Sequence, residues 1–251
     1  MESKKYISMK DMAKKLGVSI PTISRALKNS PEISDQLCEK VKRLAKDMNY
    51  RPNPFAMSLR KNAPRTIGVI VPDIVTHFFS SIVKGIEEAA VANGYFVIIT
   101  TSSENSEHEK RNVENLVNMR VEGIIACLSQ DTTDYSHFLA LKDINMPVVL
   151  FDRTCMPDKF STVIADGAKS AQMATQHFID NGSHRIAFIG GPNHLEIVRR
   201  RKHGYLEALR ANKIPIEKEL VVCRKIDYQE GKIAAEQLLS LPNPPDAILA
   251  M

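Results

Sequence analysis

The sequence predicts a small all-helical head followed by a larger α/β body, and three observations support this division. Three short helical patterns with their own start and stop signals occupy the first fifty residues. From residue 66 onward, apolar runs of strand length alternate with helical patterns, which indicates a parallel sheet covered by helices. The charge divides at nearly the same place: residues 1–62 hold fourteen Lys and Arg against six Asp and Glu, a formal charge of +8, and the remainder carries −3.

The first helix of the head carries signals at both of its ends. Ser8 can cap it, Asp11 stands three residues further on as in a capping box, and Gly17 is a natural left-handed stop. The second helix has Ser19 as its N-cap and Pro21 in its first turn, where the missing N–H is not needed. A third apolar pattern of helical spacing follows. Two short helices joined by a tight turn and braced by a third form a helix-turn-helix.

The second helix of such a unit enters the major groove of DNA. Arg25 is the predicted base-contacting residue, because a guanidinium can donate two hydrogen bonds to guanine O6 and N7. Phosphate contacts, which position a protein without selecting a sequence, are predicted for Ser8, Thr22, Ser24 and Lys28. We expect the last three of these on the outer face of the second helix. The alternative is a generic three-helix bundle with a solvated surface, and the +8 charge favours DNA binding.

A segment bracketed by prolines, residues 50–65, links the head to the body. It contains about nine residues of helix-compatible sequence, and a helix that short forms only when it is docked. Leu59 stands beside Arg60 and Lys61, which suits an apolar wedge between base steps of a minor groove. A plain linker whose Leu59 packs on the body is the alternative, and the residues alone favour it.

Polar and small residues follow the predicted strands of the body, where ligands of parallel sheets bind. The strand ends carry Pro72-Asp73, Phe151-Asp152-Arg153 and Gly190-Gly191-Pro192. The predicted strands are 66–71, 95–101, 123–127, 147–151, 185–189, 220–223 and 248–251, and the predicted helices are 78–93, 106–119, 135–144, 166–181, 196–211 and 228–241.

Several classes of protein are disfavoured by what the sequence lacks. It has no G-x-G-x-x-G, P-loop, G-x-S-x-G or H-E-x-x-H motif, and its four cysteines lack the spacing of a zinc site. The N-terminus is charged, and no apolar run approaches the roughly 18 residues of a membrane span. We therefore expect no catalytic residues, no metal and no cofactor, and a location in the cytoplasm rather than a membrane.

Several segments resemble one family. Residues 11–27, Tyr50-Arg-Pro-Asn53 and Ser58-Leu59 are similar to the head of the lactose-repressor (LacI/GalR) family. Residues 185–191 and 201–209 are similar to its two-subdomain, type I periplasmic-binding-protein-like body. The resemblance implies a DNA-binding transcription regulator, expected to be a repressor, that acts as a homodimer on a near-palindromic operator at the bacterial nucleoid. It implies a head over 1–49, a hinge over 50–65, and effector-binding subdomains over 66–165 and 166–251.

The resemblance also assigns roles to single residues. Ser19 joins the DNA-contacting set, Ile20 and Pro21 tune operator choice through apolar contacts, Asn53 lies near the DNA backbone, and Leu59 becomes the minor-groove wedge. A small and carbohydrate-like effector is implied, because carboxylates, guanidinium groups and aromatic faces suit polyols. The residues expected around it are Asp73, Phe78, Phe79, Asp152, Arg153, Arg199, Arg201 and Tyr228. Structural ion pairs remain the alternative for the charged members.

The sequence departs from the family pattern in places. Lys28 stands where many members carry Asn, and Met57 where many carry Arg. The last strand, near residue 251, leads in the family to further elements, so the second subdomain is expected to be incomplete. Two rival functions are a transport-type sugar-binding protein, which the helix-turn-helix disfavours, and an α/β sugar-processing enzyme, which the missing catalytic motifs disfavour.

Overall fold

The computed structural model describes residues 7–50 and 65–251. They form two compact units, one within residues 1–63 and one within residues 64–251. Each unit has a hydrophobic core of its own. Asn53, Leu59 and nearly all of the predicted hinge lie outside the described residues.

The first unit contains the helices α1 (Met9–Leu16), α2 (Ile20–Ala26) and α3 (Asp35–Asp47). The capping box at the start of α1 is confirmed, because the Asp11 amide donates to Ser8 Oγ and the Ser8 amide donates to the Asp11 carboxylate at 2.9 Å. Gly17 ends the helix with a left-handed φ of 68°. Ser19 caps α2 by accepting a hydrogen bond from the Thr22 amide at 3.2 Å. Local sequence signals therefore set these helix ends.

Two predictions about the second helix were wrong. It ends at Ala26 rather than Lys28, because the chain turns and the amides of residues 28–30 bond back to carbonyls of α2. Ser24 is 6% exposed and does not lie on the outer face. It follows Ile23 by one residue, about 100° around the helix, so it borders the buried face, and its small side chain is covered there.

The second unit alternates strands and helices. The strands are β1 (Thr66–Val71), β2 (Phe96–Thr101), β3 (Gly123–Ala126), β4 (Val148–Phe151), β5 (Ser161–Val163), β6 (Ile186–Gly190), β7 (Val221–Cys223) and β8 (Ala247–Ala250). The helices are α4 (His77–Ala92), α5 (Ser106–Asn118), α6 (Ser136–Asp143), α7 (Gly167–Asp180), α8 (Glu196–Ala211) and α9 (Tyr228–Leu239), with a 3₁₀ turn at Lys218–Leu220.

These strands build two parallel sheets. The first has the order β2-β1-β3-β4-β5 and the second the order β7-β6-β8. The sequence predicted the parallel arrangement but missed β5, which pairs with β4 from Val149 opposite Ser161. A strand of three residues at a sheet edge is too short to produce a detectable alternation of apolar and polar residues.

The first sheet carries a core on each of its faces. On one face, Ile70, Leu116 and Phe138 join β1 to α5 and α6 and are fully buried. On the other face, Phe79 of α4 packs in a cluster with Phe151. Because β1, β3 and β4 run parallel, their carboxyl ends meet at one edge of the sheet. Predicted polar residues follow two of these strands there.

The second sheet packs against α8 through an aromatic pair. The rings of Phe188 and Tyr205 stack with centroids 5.4 Å apart, and the Tyr205 hydroxyl donates to the Ile186 carbonyl at 2.8 Å. Helices α7 and α8 approach closely at Gly204, where any Cβ would overlap the carbonyl of Ala168. This contact fixes the position of the N-terminal half of α8, which carries the predicted effector arginines.

Candidate functional site

The head presents most of its predicted DNA-contacting residues to solvent. Ser8, Ser19, Ile20, Pro21, Arg25 and Lys28 are exposed, and Thr22 is half-buried. Ile20 is 43% exposed, which is unusual for a large aliphatic side chain and leaves it free to make an apolar contact. Among the predicted DNA-contacting residues that the structure describes, Ser24 alone is buried. Its side chain is therefore not presented for a phosphate contact.

Two lysines that sequence reasoning did not single out lie beside this surface. Lys10 and Lys14 of α1 line a hollow that also includes Ser8, Ser19 and Ile20. They bring positive charge to the entry of α2. Their spacing of four residues on one helix face was a signal that could have identified them.

Arg25 meets an acid on this surface. Its Nη1 atom lies 3.0 Å from Oε2 of Glu32, and both side chains are more than half exposed. Sequence reasoning placed Arg25 at the base edges but did not give it this partner. The turn between α2 and α3 creates the contact, so helical periodicity carries no signal for it.

In the second unit, Asp73 is engaged with the backbone. Its Oδ1 accepts hydrogen bonds from the amides of Val75 and Thr76 at 2.8 and 2.9 Å. The carboxylate thus shapes the loop that leads from β1 into α4. Its second oxygen, Oδ2, makes no hydrogen bond to the described residues.

Asp152 follows β4 in a strained position. Its φ is 55°, in the left-handed region that few residues with a side chain adopt. The carboxyl is half-buried, and this burial raises its pKa, whereas Arg153 and Arg201 oppose the rise. A carboxyl with a raised pKa at a strained backbone position is typical of functional sites.

Arg153 lies beneath this edge rather than facing a cleft, which corrects the sequence expectation. It is 6% exposed, and its Nη1 donates to both carboxylate oxygens of Glu104, at 2.8 and 2.7 Å. Its guanidinium carbon also lies 5.9 Å from the ring centre of Phe79. An arginine at low exposure needs a carboxylate partner, which explains why Glu104 is drawn to it.

The aromatic residues divide between core and surface. Phe78 and Phe79 form an edge-to-face pair with centroids 5.1 Å apart, but Phe79 is 5% exposed and Phe78 is 51% exposed. Tyr228 is 81% exposed at the start of α9. Phe78 and Tyr228 are therefore available to a ligand, and Phe79 serves the core.

The two predicted arginines of α8 differ in their surroundings. Arg199 is exposed, and its Nη1 donates to the carbonyl of His194 at 2.6 Å. Arg201 is half-buried and packs against Gly167 at the start of α7. A small crevice lined by Asp152 and Gly167 also includes Glu196 and Ile197 of α8, so the end of β4 and the start of α8 share one surface.

A glutamine that sequence reasoning missed connects the two sheets. The Ile226 amide donates to Gln130 Oε1 at 2.7 Å, and Gln130 Nε2 donates to the Ile226 carbonyl at 3.5 Å. The backbone amide of Gln130 in turn donates to Glu104 Oε2 at 2.8 Å. One chain of contacts therefore runs from Arg153 through Glu104 and Gln130 to the segment that precedes α9.

A second buried network lies behind this edge. Glu109 is fully buried and accepts hydrogen bonds from the amide of Ser129 at 2.6 Å and from the hydroxyl of Thr132 at 3.0 Å. His137 Nε2 lies 2.9 Å from the same carboxylate. These contacts hold the loop after β3, which carries Gln130.

Metal ligands and cysteine thiols of the described residues bear on two kinds of catalytic chemistry. Residues 7–50 and 65–251 contain no group of three or more potential metal ligands. Burial raises the pKa of the Cys127 thiol, and burial raises the pKa of Cys155 to about 12, so neither is a thiolate at neutral pH. Within the same ranges, no helix has the length and apolar character needed to cross a membrane.

A helix-turn-helix with an exposed arginine, in one chain with a parallel α/β unit of two sheets, defines a DNA-binding regulator that carries its own ligand-binding domain. Residues 8–53 match the family of bacterial regulatory proteins of the lacI type, and residues 64–251 match the periplasmic binding proteins and sugar binding domain of the LacI family. The chain belongs to the LacI family of transcription regulators. The resemblance and the fold class expected from the sequence are confirmed.

Several relatives are similar along nearly the whole chain. The transcriptional repressor CytR of Escherichia coli is 32% identical over 96% of this chain and 70% of its own length. The lac repressor dimer bound to operator and the anti-inducer ONPF has a TM-score of 0.75 at 25% identity, covering 98% of this chain and 74% of its own. The CelR–cellobiose complex has a TM-score of 0.67 at 27% identity, covering 97% and 73%. These relatives are regulators, which leaves the transport and enzyme alternatives without support.

Proposed function

We propose that this protein represses transcription by binding a near-palindromic operator as a homodimer and that it leaves the operator when a carbohydrate-like effector binds its body. The observation that carries the proposal is Arg25, exposed on the second helix of a head with a net charge of +8. We place the protein in the bacterial cytoplasm, in contact with the nucleoid.

On the DNA, Arg25 contacts a guanine, and Ile20 and Pro21 make apolar contacts with neighbouring bases. Ser8, Ser19, Thr22 and Lys28 contact phosphates and set the position of the head. The predicted role of Ser24 as a phosphate contact is not supported by its burial. In the hinge, Leu59 inserts between base steps of the minor groove and Asn53 lies near the backbone.

The effector binds where the end of β4 and the start of α8 share one surface. Asp152 and Arg199 hydrogen-bond its hydroxyl groups, Arg201 lies near enough to Asp152 to oppose the rise that burial causes in its pKa, and Asp73 supplies a further carboxylate. Phe78 and Tyr228 offer aromatic faces for the sugar ring. Arg153 and Phe79 lie beneath and hold Asp152 and the surrounding loop in place, which fits their low exposure.

Regulation follows from a population shift. An effector that contacts both subdomains favours their closed arrangement, and the closed arrangement disfavours the hinge helices that a specific complex requires. Contacts to phosphates do not depend on the hinge, so nonspecific binding persists. The similarity of this chain to CelR, whose structure contains cellobiose, supports a carbohydrate as the class of effector.

Replacing Arg25 tests the proposed function. Arg25→Ala should weaken binding to a duplex selected by the parent protein from a randomised pool by about 5- to 150-fold, since a bidentate contact discriminates by about 1–3 kcal/mol. Binding to random DNA should change much less. The measurement is fluorescence anisotropy with both duplexes at one salt concentration.

Lys28→Ala is the matched control, because it removes the same charge from an exposed phosphate-contacting position. It should weaken both duplexes to a similar extent and reduce the salt dependence of binding. Unchanged discrimination in Arg25→Ala would reject Arg25 as the base-contacting residue.

A further inference from the structure

The turn between α2 and α3 folds an acidic side chain back onto the DNA-contacting surface. The Ser30 amide donates to the Arg25 carbonyl at 3.1 Å, and the Ile33 amide donates to the Ser30 carbonyl at 3.0 Å. Pro31 stands between these bonds and restricts the backbone there. This geometry brings Glu32 Oε2 to within 3.0 Å of Arg25 Nη1.

The Arg25–Glu32 ion pair is not explained by stability. Its side chains are 58% and 65% exposed, and ion pairs that open to solvent contribute little to folding. A carboxylate on a surface that meets phosphates also repels DNA. Taken alone, the charge of Glu32 therefore lowers the affinity of the head for DNA. Its contact with Arg25 could offset this loss.

The geometry of the Arg25 guanidinium indicates how Glu32 could favour a contact with a base. A guanidinium carries five N–H donors in a rigid plane, and a contact with guanine O6 and N7 needs two of them. Glu32 contacts Nη1 of Arg25. No other acid of the described residues lies within ion-pair distance of Arg25. The edge formed by Nε and Nη2 is left for the base. A side chain held in this way loses less rotamer freedom when it docks.

We propose that Glu32 is a positioning residue that presents Arg25 to a guanine and so sets specificity at that base pair. The proposal rests on the proposed function, in which Arg25 contacts a base. Glu32 itself touches no base. It trades some general affinity for discrimination, because its charge opposes all DNA equally while its contact with Arg25 favours one sequence.

The test measures the ratio of affinities for the selected duplex and for random DNA. Glu32→Ala should lower this ratio about three- to tenfold, in the range of coupling between contacting residues, while binding to random DNA becomes tighter. The loss should concentrate at the base pair that Arg25→Ala also affects. Glu32→Gln keeps an acceptor oxygen and should retain a ratio between those of the parent and Glu32→Ala.

Glu39→Ala supplies the matched control. Glu39 is an exposed acid of α3 that pairs with Lys42, so its loss removes the same charge from the same head. It should tighten binding to both duplexes and leave the ratio unchanged. In an Arg25→Ala background, Glu32→Ala should not change the ratio further.

An unchanged or higher ratio in Glu32→Ala would overturn the positioning role, as would an equal fall in Glu39→Ala. Failure of the proposed function has a different signature, since Arg25→Ala alone would then leave the ratio of the parent protein intact.

Discussion

Asp152 combines three properties that are costly to maintain together. Its backbone is left-handed at 55°, its carboxyl is half-buried, and that burial raises its pKa despite two nearby arginines. A carboxyl with a raised pKa at such a position agrees with the proposed contact between Asp152 and an effector.

Asp152→Asn separates the two roles. Because the pKa of Asp152 is raised in the folded protein, ionisation at neutral pH costs stability, and Asn avoids this cost. We expect the variant to melt at a higher temperature than the parent at pH 7, and we expect this difference to vanish as the pH falls below the ordinary Asp pKa of about 3.9, where the carboxyl becomes protonated in both states. Effector affinity should fall about 10- to 100-fold, as for a lost hydrogen bond to a charged group.

Calorimetry across the pH range measures the first effect, and titration with the sugar that gives the largest thermal shift in a panel measures the second. Asp158→Asn is the control, because Asp158 is exposed in a nearby turn. A lower melting temperature for Asp152→Asn at pH 7, or unchanged sugar affinity, would contradict the assignment.

For single residues, the sequence predicted positions along the strands but not the long-range contacts of the side chains. The strand pattern placed Asp152 and Arg153 at the end of β4 correctly, since alternation of strands and helices locates strand ends. It did not show that Arg153 is buried, because its partner Glu104 is 49 residues away in sequence. The bond between Gln130 and Ile226 spans 96 residues and was equally invisible. Contacts of this kind depend on tertiary packing.

At the scale of elements, the caps of α1 and α2 were predictable because they depend on residues three positions apart. The prediction for Ser24 failed because a seven-residue helix surrounded by two others has a narrow polar face. The short strand β5 was missed because three residues are too few to show an alternation of apolar and polar side chains. Local signals therefore fixed helix ends, whereas burial at the borders of a face required the packed structure.

The pair α7 and α8 offers a sharp test of element packing. Any Cβ at position 204 would overlap backbone atoms of Ala168, which cannot move without shifting the whole of α7. We expect Gly204→Ala to destabilise the protein by about 1–3 kcal/mol or more, as overpacking does. Since α8 carries Arg199 and Arg201, effector binding should weaken as well. Chemical denaturation followed by circular dichroism measures the first effect.

Gly231→Ala in α9 is the matched control. A Cβ there meets no atom within 4 Å, and alanine is the better helix former. This variant should gain about 0.5–1 kcal/mol of stability. Equal stability of the two alanine variants would show that the two helices are not in the tight contact described.

The whole molecule combines two units with opposite charge and separate cores. The sequence predicted this division from charge and pattern alone. It could not assign the strands of the body to two separate sheets without the family resemblance, because all of the pairings are parallel and join segments that are distant in sequence. Under the proposed function, an effector bound to the second unit changes the DNA affinity of the first, so that the two units communicate.

Thermodynamic linkage gives this communication a measurable form. If an effector weakens operator binding by a given factor, the operator must weaken effector binding by the same factor. For a repressor released by its effector we expect about a 5- to 150-fold decrease in sugar affinity when the selected duplex is present in excess. Random DNA should have little effect, because phosphate contacts do not require the hinge. Isothermal titration of the sugar into free and DNA-bound protein measures the factor, and tighter sugar binding in the presence of the selected duplex would identify the effector as a co-repressor instead.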